Sequence, residues 1–160
     1  MSLERVRPYL EEKGFADRII LFDVSSATVE LAAKALDCEE ARIAKTLAFR
    51  HGESALIVVA AGDARVHSGS FKRRFGFKPS FLSGEDAERI TGHKPGGICP
   101  FALKDPDCEV YLDESLRRFD VVYPAVGESN SAIPLTPEEL QELSGALDWV
   151  DVCRDWKCDN

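Results

Sequence analysis

Lys45 places an ammonium inside "ARIAKTLAFRHGESALIVVAAG", a stretch that otherwise reads as two apolar strands joined by a turn. An unpartnered charge at the centre of a sheet costs several kcal/mol, so Lys45 must either reach solvent or face a cleft. A second stretch, "TGHKPGGICPFALKDP", sets Gly96 and Gly97 side by side and brackets them with Pro95 and Pro100. Glycines without side chains let a ligand approach backbone N–H and C=O groups closely, and proline fixes the local backbone, so such a loop is narrow and rigid. A plain turn uses the same residues. Cys99 and His93 in this loop raise a further possibility, because a thiolate assisted by an imidazole attacks acyl esters well.

The elements that must hold these residues follow from periodicity and punctuation. "SLERVRPYLEEKG" reads as a helix over 2–13 stopped by Gly14, followed by "RIILFDV" as a strand. "SSATVELAAKALD" has Ser26 or Thr28 as N-cap and Val29, Ala32, Ala33 and Leu36 at helical spacing. A hairpin is expected from Ile43 to Arg50 and through "ALIVVAA", with its turn at "HGES". Helices follow over "SGSFKRRFG" and over "GEDAERITG", the latter capped by Ser83 and stopped by Gly92. Strands are expected at "PSFL", "EVYLD", "DVVYPAV", "SAIPL" and "WVDVC". Thr136, Pro137 and Glu139 form a capping-box signature for the last helix. Hairpin pairs mixed with helical crossovers predict one α+β domain, a mixed sheet with helices packed on it.

Composition excludes several classes. The 160 residues suit one compact core, and 44% hydrophobic with 30% charged residues is ordinary for a globular protein. No apolar run approaches the roughly 18 residues needed to span a bilayer. The charged, amphipathic N-terminus reads as a helix rather than a signal peptide, so a cytoplasmic protein without a membrane partner is expected. Five scattered cysteines, Cys38, Cys99, Cys108, Cys153 and Cys158, form no C-x-x-C pair, which argues against a zinc site or a disulfide framework. A net charge of −8 disfavours non-specific binding along nucleic acid, and no DNA partner is expected. Arg65, Lys72, Arg73, Arg74 and Lys78 make one local basic patch, read as solvated side chains beside a phenylalanine stripe. Phe71, Phe75, Phe77 and Phe81 read as core rather than a base-stacking platform, and His51 and His67 as surface residues.

"SSATVELAAKALDCEEARIAKTLAF", then Gly96 to Phe101 and "VGESNSAIPLTPEEL" in that order, resemble the YbaK and prolyl-tRNA-synthetase-associated editing domain family. The resemblance covers most of the chain and implies an aminoacyl-tRNA deacylase, of a free-standing kind at this length. The implied reaction hydrolyses the ester between a wrong amino acid and the 3′-terminal adenosine of a tRNA, such as a mischarged proline tRNA or one carrying a similarly small residue. It is implied to be substrate-assisted, a ribose hydroxyl helping to activate water, with no cofactor and no metal. By the same resemblance Lys45, Gly96 and Gly97 are the catalytic residues, and Ser26, Thr28, Lys45, Thr46, Ile98, Cys99, Pro100 and Gly127 contact substrate. The implied partner is the aminoacyl-tRNA 3′ end, with a synthetase as an optional second. Where bacterial cysteine deacylases carry Ser-Gly-Gly-Lys-Arg-Gly, this chain has "PAVGESN": Gly127 is kept, Ala125 replaces a small polar contact, and Glu128 and Ser129 replace the basic pair. The competing expectation is a non-catalytic module that binds an aminoacylated end or a protein through the same cleft.

Overall fold

The computed structural model describes residues 3–23 and 28–156. Ser26, one of the two candidate N-caps, and Cys158 lie outside them. In chain order the elements are α1 (Leu3–Lys13), β1 (Ile20–Leu21), α2 (Val29–Leu36), β2 (Ile43–His51), β3 (Ser54–Ala61), β4 (Arg65–Val66) and α3 (Ser68–Phe75). There follow α4 (Gly84–Thr91), β5 (Glu109–Asp113), β6 (Tyr123–Pro124), β7 (Ser131–Ala132), α5 (Pro137–Ser144), β8 (Asp148–Val150) and β9 (Cys153–Arg154).

The sheet order is β6-β2-β3-β5-β8, with β2 and β3 antiparallel and the remaining pairs parallel. This is the mixed sheet of an α+β domain, as the alternation of hairpin and crossover predicts. The hairpin is the expected one, turning between His51 and Ser54. β3 lies centrally, and its continuous run from Ala55 to Ala61 is 0–1% exposed, which explains why the sequence there is unbroken rather than alternating. Phe49, Phe71 and Leu112 join it in one core, with the Phe49 and Phe71 rings 4.9 Å apart. Phe75 and Phe77 pack against that core as expected, whereas Phe81 remains 62% exposed with its ring on Phe49.

Helix ends follow their sequence signals. Thr28 caps α2 by accepting from Leu31 N–H at 3.1 Å, Ser83 caps α4, and the capping box of Thr136 and Glu139 is complete at α5. His67, read as a plain surface residue, caps α3 through its ring, accepting from Ser70 N–H at 3.1 Å.

Several expected strands are shorter, for identifiable reasons. "DVVYPAV" and "SAIPL" give two-residue strands and one isolated bridge between Val122 and Leu135, because Pro124 and Pro134 have no N–H to extend a ladder. "PSFL" gives a single bridge between Phe81 and Phe49, and "RIILFDV" only Ile20–Leu21. "WVDVC" is broken into β8 and β9, which belong to different sheets. The break is chemical: the buried Asp113 carboxylate takes the Val152 N–H at 3.0 Å and the Ser115 N–H at 3.0 Å. Among the described residues no helix is long and apolar enough to cross a membrane.

Candidate functional site

A cleft of about 220 Å³ opens where the first half of β2 meets the start of α2, the Pro95–Ile98 loop and the β6–β7 region. Its described walls include Thr28, Lys45, Thr46, Gly96 and Ile98, so five of the expected site residues converge from three distant parts of the chain. Gly97, Cys99, Pro100 and Gly127 are not among these walls.

Lys45 reaches neither open solvent nor the sheet interior. Its aliphatic stem is half-buried and its ammonium donates to the carbonyls of Ala64 and, at 3.4 Å, of Gly62, where the chain leaves β3. That exit is shaped by Ser115, whose Oγ accepts the Ala61 N–H at 3.1 Å. Burial holds the ammonium below the ordinary lysine range; the Cys153 and Asp63 side chains act against this, and Arg65 reinforces it. Asp63 is itself gripped by Arg118 at 2.5 and 3.0 Å. Thr46 Oγ1, on the next residue of β2, is buried with no hydrogen-bond partner among the described residues.

Gly97 acts behind the cleft wall. A Cβ there would lie 2.8 Å from Gly127 C, Gly127 O and Glu128 N, so two loops cross backbone to backbone at this residue. Gly97 is not itself left-handed; the positive φ values of this crossing lie at Gly96 (φ 91) and Gly127 (φ 105). The partner loop is tied by Ser131, whose Oγ accepts from Val126 N–H at 3.1 Å and Glu128 N–H at 3.2 Å and donates to Glu128 O at 2.8 Å. Ser131 also lines the cleft, as do Ala125 and Tyr123.

The chain matches the aminoacyl-tRNA editing domain profile over residues 24–143. It belongs to that family. The uncharacterized protein YwhH of Bacillus subtilis (strain 168) is 47% identical over 158 residues, which are 98% of this chain and 100% of YwhH. Among solved structures, a candidate trans-editing enzyme for prolyl tRNA synthetase superposes with a TM-score of 0.86 at 30% identity, over 96% of this chain and 97% of that one. The hypothetical protein APE2540 superposes with a TM-score of 0.82 at 28% identity, over 94% and 99% of the two chains.

Within this editing domain Cys99 is a correction to the expected pocket wall. It is fully buried behind the loop, with Sγ 3.5 Å from His93 Nε2, and burial pushes its thiol up to about 12. His93 Nε2 donates to the Phe101 carbonyl at 2.8 Å and so is not free to take a thiol proton. A thiolate nucleophile therefore has neither its base nor its access. Cys99→Ala is expected to retain most hydrolytic activity, within about threefold. Single-turnover assays check this, and complete loss in the variant together with an acyl-enzyme trapped on the wild-type Cys99 would restore the thiol. Ser131 and Tyr123 were missed as wall residues, although Ser131 lies inside "VGESNSAIPLTPEEL", the stretch that carried the resemblance, and Tyr123 just before it.

Proposed function

We propose that the chain hydrolyses the ester of mischarged aminoacyl-tRNAs in trans, with substrates of the small amino-acid class. The observation that carries this reading is the make-up of the cleft: among its described walls Lys45 and Tyr123 are the only ionisable side chains. An aminoacyl ester is an activated acyl group, so the site must supply position and a polarised carbonyl rather than a strong nucleophile. With no carboxylate, imidazole or thiol in those walls, the substrate's own ribose hydroxyl is the group best placed to orient water. Lys45 has three N–H donors, of which two are held by the Ala64 and Gly62 carbonyls, leaving one for a phosphate or acyl oxygen. Gly96 puts bare backbone on the opposite wall, where the ester can approach closely. Action in trans is supported by the likeness, at 30% identity, to a candidate trans-editing enzyme for prolyl tRNA synthetase.

A synthetase pocket gains only about 1–3 kcal/mol per methylene, which is why a second hydrolytic site for small side chains is useful. The test is a deacylation panel of alanyl-, seryl-, cysteinyl- and threonyl-tRNA, with correctly charged prolyl-tRNA as control. Multiple turnovers on at least one mischarged substrate, with prolyl-tRNA spared, are expected. Binding without turnover at catalytic protein concentration would make the domain a recognition module instead.

A further inference from the structure

The loop that carries Gly96 and Ile98 to the cleft is closed from beneath by one buried imidazole. His93 follows the Gly92 C-cap of α4 and is fully buried. Its backbone N–H donates to Thr91 Oγ1 at 3.1 Å, and that hydroxyl donates to Ala87 O at 2.6 Å, which anchors the residue in the last turn of α4. Across the loop, Nε2–H donates to the Phe101 carbonyl at 2.8 Å. A carbonyl can only accept, so this bond requires the proton on Nε2 and leaves Nδ1 as a bare acceptor. Nδ1 is buried with no hydrogen-bond partner among the described residues.

We propose that His93 is a positioning residue: its neutral Nε2–H bond to Phe101 holds the Gly96–Ile98 segment at the cleft wall, and protonating the ring releases that segment. This rests on the hydrolytic reading of the cleft. A second proton would sit on Nδ1, converting an orphan acceptor into a charged donor with nothing to receive it. The groups facing the ring give no relief. Arg5 from α1, itself bonded through Nε to Ala102 O at 2.7 Å, adds like charge, and the Cys99 thiol of the loop stays protonated. Burial accordingly holds the imidazole below the ordinary histidine range, with Arg5 adding to the effect and the Phe101 bond opposing it.

The linkage has a definite sign. The unfolded chain takes up this proton near the ordinary value of about 6.5, and the folded chain only at lower pH, so stability falls as pH drops below about 6.5 and levels off beneath the folded pKa. The activity that depends on the loop is lost across the lower transition.

Single-turnover deacylation from about pH 8 down to the lowest pH at which both proteins stay folded compares the wild type with His93→Gln, whose amide N–H reaches the Nε2 position and cannot titrate there. The wild-type to His93→Gln rate ratio is expected to fall at least about fivefold towards acid, because substrate effects common to both cancel. His93→Leu, checked by melting for a folded state, is expected to lose kcat at least about tenfold at pH 8 with little change in KM. A ratio constant across pH, or a folded His93→Leu with wild-type kcat, overturns the proposal. A readout independent of turnover is the NMR titration of the wild type. The Gly96 and Gly97 amide shifts are expected to follow the His93 midpoint, and unmoved amides while the ring titrates overturn the proposal even if no deacylation is found.

Discussion

Gly97→Val is expected to abolish deacylation, with a single-turnover rate at least about a hundredfold below wild type, since even a 1 Å displacement of a positioned group can cost that much. The new Cβ would meet Gly127 C and O and Glu128 N at 2.8 Å, and these are backbone atoms that cannot rotate away. Neither loop can yield cheaply. One is knotted by the three Ser131 Oγ bonds and the other is clamped by His93 on Phe101. Separation of the loops therefore moves Gly96 and Ser131, which stand on the cleft wall. Overpacking of this kind also costs about 1–3 kcal/mol of stability, more than a loop free to relax would lose. Because the clash is already complete at Cβ, Gly97→Ala is expected to show most of the same loss. Rate and melting curve are measured together. A folded Gly97→Val with normal turnover would place the active cleft elsewhere.

The Gly97 contact lies beyond the reach of local sequence signals. The β2–β3 hairpin and the α5 capping box were legible because their causes are local: an apolar run across a turn, and a Thr-Pro-x-Glu spacing. The short strands were not, since their limits are set by Pro124 and Pro134 and by the Asp113 carboxylate taking the Val152 N–H from afar. The glycine loop was legible as a close-approach loop, but what approaches Gly97 is the Gly127–Glu128 peptide, a contact between segments remote in sequence. Cys99 shows the same limit. Its position inside the loop suggested a wall, whereas the turn at Gly96 sends its side chain into the core beside His93. Ser131 carried no signal of its own, because its three hydrogen bonds exist only once the loop from Val126 has folded around it.

Lys45→Ala is expected to lower kcat/KM by at least about tenfold, which is about 1.4 kcal/mol of transition-state stabilisation. The structure adds a stability effect that the strand pattern alone did not suggest. The ammonium serves the Ala64 and Gly62 carbonyls as well as the cleft, and Ala64 is fully buried. Leaving a buried acceptor unpaired costs about 1–3 kcal/mol, so the variant folds with a lowered melting temperature. Lys45→Met separates the roles: it keeps the apolar stem, loses the same two bonds, and is expected to match the alanine variant in activity while melting higher. Titration gives the independent check. Because burial holds the ammonium below the ordinary lysine value of 10.5, its contribution is present below the lowered folded pKa and disappears as pH rises through it. The wild-type advantage over Lys45→Met should therefore shrink on the alkaline side before an ordinary lysine would lose its proton. A folded Lys45→Met with wild-type turnover across that range would reduce Lys45 to a strut for the β3 exit, leaving the cleft to work through backbone alone.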